Sequence, residues 1–307
     1  MPVSVLAVDA GQTGVRLRLQ TPEGNSPEVE FPGVRTTSPL GPQLAGMASE
    51  VLCEAQVDPS GVVLAIGTSG VADVKGLAAS LRAELGEPGK GPREIVVAHD
   101  SISSYLGALG ESEGVVVAAG TGAIIFGVGS ESTARVDGWG YLMGDDGSGF
   151  SVGARGWHAV MRDHDGRGPA TALTEDFRAE FPDLESAYVT IQGDPDRIRR
   201  VASYSRRVTA HAATDDVARG IAQWAGHELA VSVAAAARRV GLHDTVRVAR
   251  LGRVLTDPTV QEAFSASLLA DIPGAVIVEP AGSGLDGAAL LAGLTPGSAL
   301  HSAVAHS

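Results

Sequence analysis

Two glycine turns are the first residues in this chain whose spacing suggests chemistry. Gly11-Gln12-Thr13-Gly14 follows the apolar run at 3–8 and Asp9, and Gly120-Thr121-Gly122 follows the apolar run at 115–119. Each turn leads into a second strand-like run, at 15–19 and at 123–128, so each reads as a hairpin. Glycine turns leave backbone N–H groups uncovered, and such concave nests bind phosphate oxygens without a formal positive charge. One such turn alone is most simply an ordinary hairpin turn. A matched pair, with Asp9 beside the first, suits a polyphosphate. Other nucleotide signatures are absent or out of place. There is no G-x-x-x-x-G-K-[ST]. The one G-x-G-x-x-G, at Gly282, Gly284 and Gly287, has too little chain after it for the acidic ribose ligand of a dinucleotide site.

Carboxylates supply the second kind of chemistry. Asp100 follows the buried-looking run 95–98 and His99, at a strand C-terminus, where ligand sites of α/β sheets gather. Two roles stand level on the residues alone. It can accept the proton of an attacking hydroxyl in a phosphoryl transfer, or it can cap the helix that follows. Asp145 and Asp146 precede Gly147-Ser148-Gly149. Carboxylates accept hydrogen bonds from sugar hydroxyls, and the glycines allow a close backbone approach. The plainer reading is an acidic turn capping a helix from Ser151. Thr68-Ser69-Gly70 closes the buried run 62–66 and is expected to face the same ligand.

Ordinary α/β elements must position these groups. Three strands (3–8, 15–19, 29–31) are followed by a helix at 40–55, a strand at 62–66, a helix at 74–85, a strand at 95–98 and a helix near 101–109. The order then restarts with strands at 115–119, 123–128 and 134–136. Helices dominate 151–239, and a strand (246–251), a helix (260–269), a strand (276–278) and a helix (285–291) complete the chain. The restart predicts two duplicated α/β halves with mixed sheets facing a cleft. We place an N-terminal domain at 1–110 and a larger C-terminal domain with a helical insertion at 111–307, its last helix packing back on the first. The tail at 295–307 is expected to fray.

Composition narrows the function classes. The chain has 307 residues, which suggests about two domains. Aromatic residues make up only 4%, so Ala, Val and Leu must build the core. The net charge of −13 makes a poor partner for a phosphate backbone, so nucleic-acid binding is not expected. Cys53 is the single cysteine, which excludes an internal disulfide or a cysteine-rich metal site, and its apolar surroundings predict burial. No apolar run is long enough to span a membrane, and the N-terminus lacks the basic region of a secretory leader. A cytoplasmic protein is expected.

LAVDAGQTG, VAHDS, VAAGTGA and GWGYLMGDDGSGF, in that order, resemble the N-acetylglucosamine kinase and BadF/BadG-type ATPase family, which has the sugar kinase–hsp70–actin fold of two actin-like, ribonuclease H-like domains. The resemblance spans nearly the whole chain and is least marked between Phe181 and Asp244. It implies ATP and Mg²⁺ as cofactors, an amino sugar as substrate, phosphorylation of its 6-hydroxyl, and a homodimer. Gly11, Gln12, Thr13 and Gly14 match the first phosphate motif and Gly120, Thr121 and Gly122 the second. Gly252 falls in the adenosine motif, with Arg253 where relatives have a second glycine, and Gly282 and Gly284 form the last nucleotide-side turn. Asp100 is then the catalytic base and Asp9 lies near Mg²⁺. Thr37, Ser69, Gly70, Asp100, Gly138, Trp139, Asp145 and Gly149 would meet the sugar. Thr37 stands where an Asn is expected, Ile124 where a polar residue is expected and Asp146 where Glu is common, so glucosamine competes with N-acetylglucosamine. Two alternatives remain. One is a non-catalytic sugar sensor. The other is an ATPase activator, for which the iron–sulfur cysteines are missing.

Overall fold

The computed structural model describes residues 3–307; Met1 and Pro2, part of the N-terminal reading above, lie outside the described residues. Contacts divide the chain into two compact units. One runs to Glu113 and adds 128–133 and 279–307, and the other comprises 114–127 and 134–278.

The first unit begins with β1 (Ser4–Ala10) and β2 (Val15–Thr21), an antiparallel hairpin with Asp9 opposite Arg16. Burial alternates along β2, with Val15, Leu17 and Leu19 inside, as a strand with one covered face requires. β3 (Gly24–Asn25) and β4 (Val29–Phe31) both pair with β2. Helix α1 (Leu40–Glu54) crosses to β5 (Val62–Thr68), parallel to β1, and α2 (Val74–Leu85) leads to β6 (Glu94–His99), parallel to β5. β5 is buried at every position, the pattern of a central strand covered on both faces. Helix α3 (Asp100–Leu109) starts directly at the end of β6.

The second unit repeats this plan. β7 (Gly114–Ala119), β8 (Ala123–Val128) and β9 (Thr133–Asp137) come first. Six helices follow: α4 (Gly149–His164), α5 (Ala172–Arg178), α6 (Leu184–Gly193), α7 (Arg197–Ser203), α8 (Ser205–His211) and α9 (Asp216–Arg239). β10 (Val246–Leu251) lies parallel to β7. After α10 (Pro258–Asp271), β11 (Ala275–Val278) lies parallel to β10. The strand order is β11-β10-β7-β8-β9, which matches β6-β5-β1-β2 with its outer strands in the first sheet. The duplicated α/β fold expected from the repeated turn is therefore the one found.

Helix α11 (Gly284–Leu291) follows β11 in sequence but groups with the first unit, whose first segment ends at Glu113. It packs on α3, β1 and β5. The helices approach closely because a Cβ at Gly287 would overlap the Ser103 carbonyl, and one at Gly107 the Ser283 carbonyl. The tail is not frayed. β12 (Ala305–His306) pairs antiparallel with the edge strand β6, Ser307 and Ile95 exchange backbone hydrogen bonds at 2.9 Å, and the buried Arg82 guanidinium donates to the Pro92 and Ser307 carbonyls. Unpaired edge groups on β6 supply the reason. Cys53 is exposed, contrary to expectation, because α1 buries the stripe Leu44, Ala48, Val51 and Leu52 and Cys53 lies off it.

Candidate functional site

In the first unit, three parallel strands end at one edge. Ala10 is paired with Thr68, and Thr68 with His99, so Asp9, Ser69-Gly70 and Asp100 come together. The Ser69 N–H donates to the Ala10 carbonyl at 2.9 Å. The Ser69 Oγ is shielded from solvent and has no hydrogen-bond partner among the described residues. The Asp9 Oδ2 accepts from Arg16 Nη2 at 2.6 Å. Burial pushes the Asp9 carboxyl above the usual carboxylate range, Arg16 pulls it down, and the charge of Asp100 pushes it further up. Gly284 sits against this carboxylate: a Cβ there would lie 3.2 Å from both oxygens. Gly284 is held at Asp9 by a capping box, in which Ser283 caps α11 and Asp286 bonds back to the Ser283 N–H at 2.7 Å; Gly282 lies against Asp286.

The Gly11–Gly14 turn is closed by the Gly11 N–H on the Gly14 carbonyl at 3.0 Å. The exposed Gln12 and Thr13 N–H groups have no partner among the described residues. Thr37 is exposed in a loop pinned by Gln43, which accepts from the Arg35 N–H and donates to the Arg35 and Pro39 carbonyls. The neighbouring Thr36, not Thr37, puts its methyl where a Cβ of Gly70 would go.

Asp100 does not cap α3. The cap is His99, whose Nδ1 accepts from the Ser101 N–H at 3.2 Å, so the capping role left open for Asp100 falls to its neighbour. The Asp100 side chain is 32% exposed, with Oδ1 2.8 Å from His99 Nδ1.

The second unit gathers its own group around the other turn. The Gly120 N–H bonds the Gly122 carbonyl at 2.9 Å, while Gly149 and Phe150, at the start of α4, donate to the carbonyls of Gly120 and Thr121 at 2.8 and 3.0 Å. Gly252 has φ +92° and lies so close to the Ala119 carbonyl that a side chain is excluded; this seats the 251–253 turn beside Gly120. Asp145 lies beneath Gly122. It is 8% exposed, has φ +62° and accepts from the Gly140 N–H at 3.1 Å. Burial raises its pKa, the Gly140 N–H lowers it, and the nearby Asp137 raises it again.

Asp137, which the motif reading passed over, organises this loop. Its two oxygens accept from the Asp145 N–H at 2.7 Å and the Asp146 N–H at 3.1 Å. Gly138 lies on Ile124, and Trp139 is 56% exposed with the Arg135 guanidinium 4.5 Å from its ring centre. The structure thus brings Asp9, Gly11–Gly14, Ser69, Gly70, Asp100, Gly282 and Gly284 into one group. Gly120–Gly122, Gly138, Trp139, Asp145, Gly149 and Gly252 form another. Thr37 is the least tied of the expected residues.

A description of the BadF/BadG/BcrA/BcrD ATPase family matches residues 6–292, nearly the whole chain. The chain belongs to this family. Within it, an N-acetylmuramic acid/N-acetylglucosamine kinase from Clostridium acetobutylicum is 33% identical over 181 residues, which is 56% of this chain and 57% of the relative. The chain therefore matches little more than half the length of that relative. Among solved structures, a candidate N-acetylglucosamine kinase from Chromobacterium violaceum superposes with a TM-score of 0.74 at 25% identity, covering 94% of this chain and 98% of the other. A ROK family glucokinase from Streptomyces griseus, at 14% identity and a TM-score of 0.55 over 94% of this chain and 98% of its own, shares the fold. Among the described residues of this family member, no helix is long and apolar enough to cross a membrane.

Proposed function

We propose that this chain is an ATP-dependent amino-sugar kinase that transfers the γ-phosphoryl group to the 6-hydroxyl of N-acetylglucosamine or glucosamine. The observation that carries the reading is Asp100. It is partly exposed, is relieved of helix capping by His99, and stands at the strand edge that also holds Asp9 and the first glycine turn. Membership of an ATPase family and resemblance to proteins named as amino-sugar kinases support it.

In this reading the Gln12 and Thr13 N–H groups of the first unit suit phosphate oxygens, as does the Thr121 N–H of the second; Gly282 and Gly284 in the first unit and Gly252 in the second belong to the nucleotide motifs. Asp100 accepts the proton of the 6-hydroxyl as that oxygen bonds to the γ-phosphorus and ADP leaves. Ser69 Oγ offers an unused hydrogen bond to a sugar hydroxyl. Asp145, though already bonded, retains lone pairs for another donor. Gly70, Gly138, Trp139, Gly149 and Thr37 are proposed to border the sugar.

Asp9 suits a hydrated divalent cation. Its carboxylate is half-buried, next to a second negative charge, and only Oδ2 is bonded to Arg16. Mg²⁺ takes most of its ligands from phosphate and water, so one carboxylate from the protein is enough to hold it. Mg²⁺ bound there would neutralise charge on the phosphates.

The test is an ADP-release screen with ATP and Mg²⁺ over N-acetylglucosamine, glucosamine, N-acetylmuramic acid, N-acetylmannosamine and glucose. Turnover on an amino sugar well above the rate without sugar is expected. Thermal stabilisation by a sugar with no ADP formed would contradict the reading and point to a sensor.

A further inference from the structure

His99 Nδ1 is shared by three groups. Asp100 Oδ1 lies 2.8 Å from it, Ser101 Oγ 2.9 Å and the Ser101 N–H nitrogen 3.2 Å. A ring nitrogen and a carboxylate oxygen do not rest 2.8 Å apart without a proton between them. Carrying that proton, Nδ1 donates to Asp100. Without it, Nδ1 accepts from the Ser101 N–H and caps α3. The Ser101 hydroxyl suits both states, because it can donate or accept.

We propose that His99 is a positioning residue for Asp100. By donating from Nδ1 it engages Oδ1, fixes the carboxylate rotamer, and leaves Oδ2 to take the proton of the acceptor hydroxyl. This rests on the kinase reading above and adds to it a residue that the glycine and aspartate motifs do not include. The backbone beneath the pair is firmly set. His99 is paired with Thr68, Ser103 Oγ donates to the Asp100 carbonyl at 3.1 Å, and Ser103 fills the space beside Gly67. The pair can therefore rearrange only through its side chains.

The charged groups on the packed elements leave the pair largely to itself. β5 brings none. On α2, Arg82 is committed to backbone carbonyls, and Lys75 and Glu84 lie elsewhere on that helix. Glu94 on β6 pairs with His306 of β12, and Asp286 of α11 pairs with Arg18. Asp9 of β1 is the charged neighbour coupled to Asp100.

The test compares wild type, H99N, D100N and H99N/D100N with ATP, Mg²⁺ and the best amino sugar. Asn is a good helix cap, so H99N should keep its melting temperature within a few degrees. Its kcat should fall about tenfold, a fraction of what a general base supplies, with KM for ATP within about twofold. The acid limb of the kcat profile should move. The double variant should be no slower than D100N, since the two residues act as one unit. If H99N folds poorly, the comparison of D100N with H99Q/D100N carries the same test. Wild-type kcat and an unmoved acid limb in H99N would overturn the role of His99. So would a further loss in either double variant. Absence of ADP release by wild type would overturn the kinase reading itself.

Discussion

Replacing Asp137 by alanine removes the acceptor for two backbone N–H groups at once. The Asp145 N–H is buried and bonded at 2.7 Å, and the Asp146 N–H is bonded at 3.1 Å on a more exposed residue. Leaving a buried donor unpaired costs about 1–3 kcal/mol, so we assign about 2 to the first and about 1 to the second. Asp137 also has φ +59°, where alanine is disfavoured by about 1 kcal/mol and Asn is tolerated. D137A should therefore lose about 4 kcal/mol, and D137N, which keeps one acceptor oxygen and tolerates the backbone, about 1. For a unit of this size, D137A should lower the melting temperature by about 8–16 °C and D137N by only a few degrees. Circular dichroism melts would measure both. The D137A loop should also release Trp139, changing its fluorescence at temperatures where the fold persists. A D137A melting temperature within about 1 °C of wild type would refute the claim that Asp137 holds this loop. Equal losses in D137A and D137N would refute the division between backbone strain and lost acceptors.

Further outcomes follow from the charges. Asp286 is pulled down to about 2 by the Ser283 N–H and by Arg18. Its contribution is thus present above the ordinary value of 3.8 and is lost as pH falls toward about 2. At 43% exposure, solvent reduces the corresponding energy to about 1 kcal/mol, so D286N should flatten the acid limb of a stability–pH curve by that amount, and an unchanged limb would contradict the assignment. The folded-state pKa of Asp9 is raised, so its ionisation opposes folding increasingly as pH rises above 3.8. D9N should therefore match or exceed wild-type stability at neutral pH in thermal melts while losing most ADP formation. Arg82 is 8% exposed and bonds the Gly86, Pro92 and Ser307 carbonyls. R82A should lower stability by about 3 kcal/mol in urea titration and speed hydrogen exchange at 305–307.

The fold was legible where one periodicity governed a segment. Helix 74–85 and strands 123–128 and 246–251 lie where their apolar spacing puts them. The site was legible where a glycine turn or a carboxylate ended a buried strand, as at Asp9, Asp100 and Gly120. What escaped notice depends on partners distant in sequence or on a single atom. β12 is two residues long and forms because β6 offers an open edge. Arg200 and Arg207 both reach Glu180, 20 and 27 residues away, a pairing that no local spacing signals. His99 in front of an aspartate carries no periodic signal, and Asp137 ends a strand like many acidic residues. Cys53 lies off the helical stripe through Leu44, Ala48 and Val51, a periodicity that its apolar neighbours in sequence obscure.

The central claim is most directly tested by single-turnover phosphoryl transfer in D100N beside wild type, with the preferred amino sugar saturating and the fold checked by melting. Because Asp100 itself makes no capping bond to α3, the account predicts an intact melting temperature, retained sugar and ATP binding, and a transfer rate lower by about 10²–10⁴-fold. A D100N rate equal to that of wild type, with both substrates bound, would contradict it.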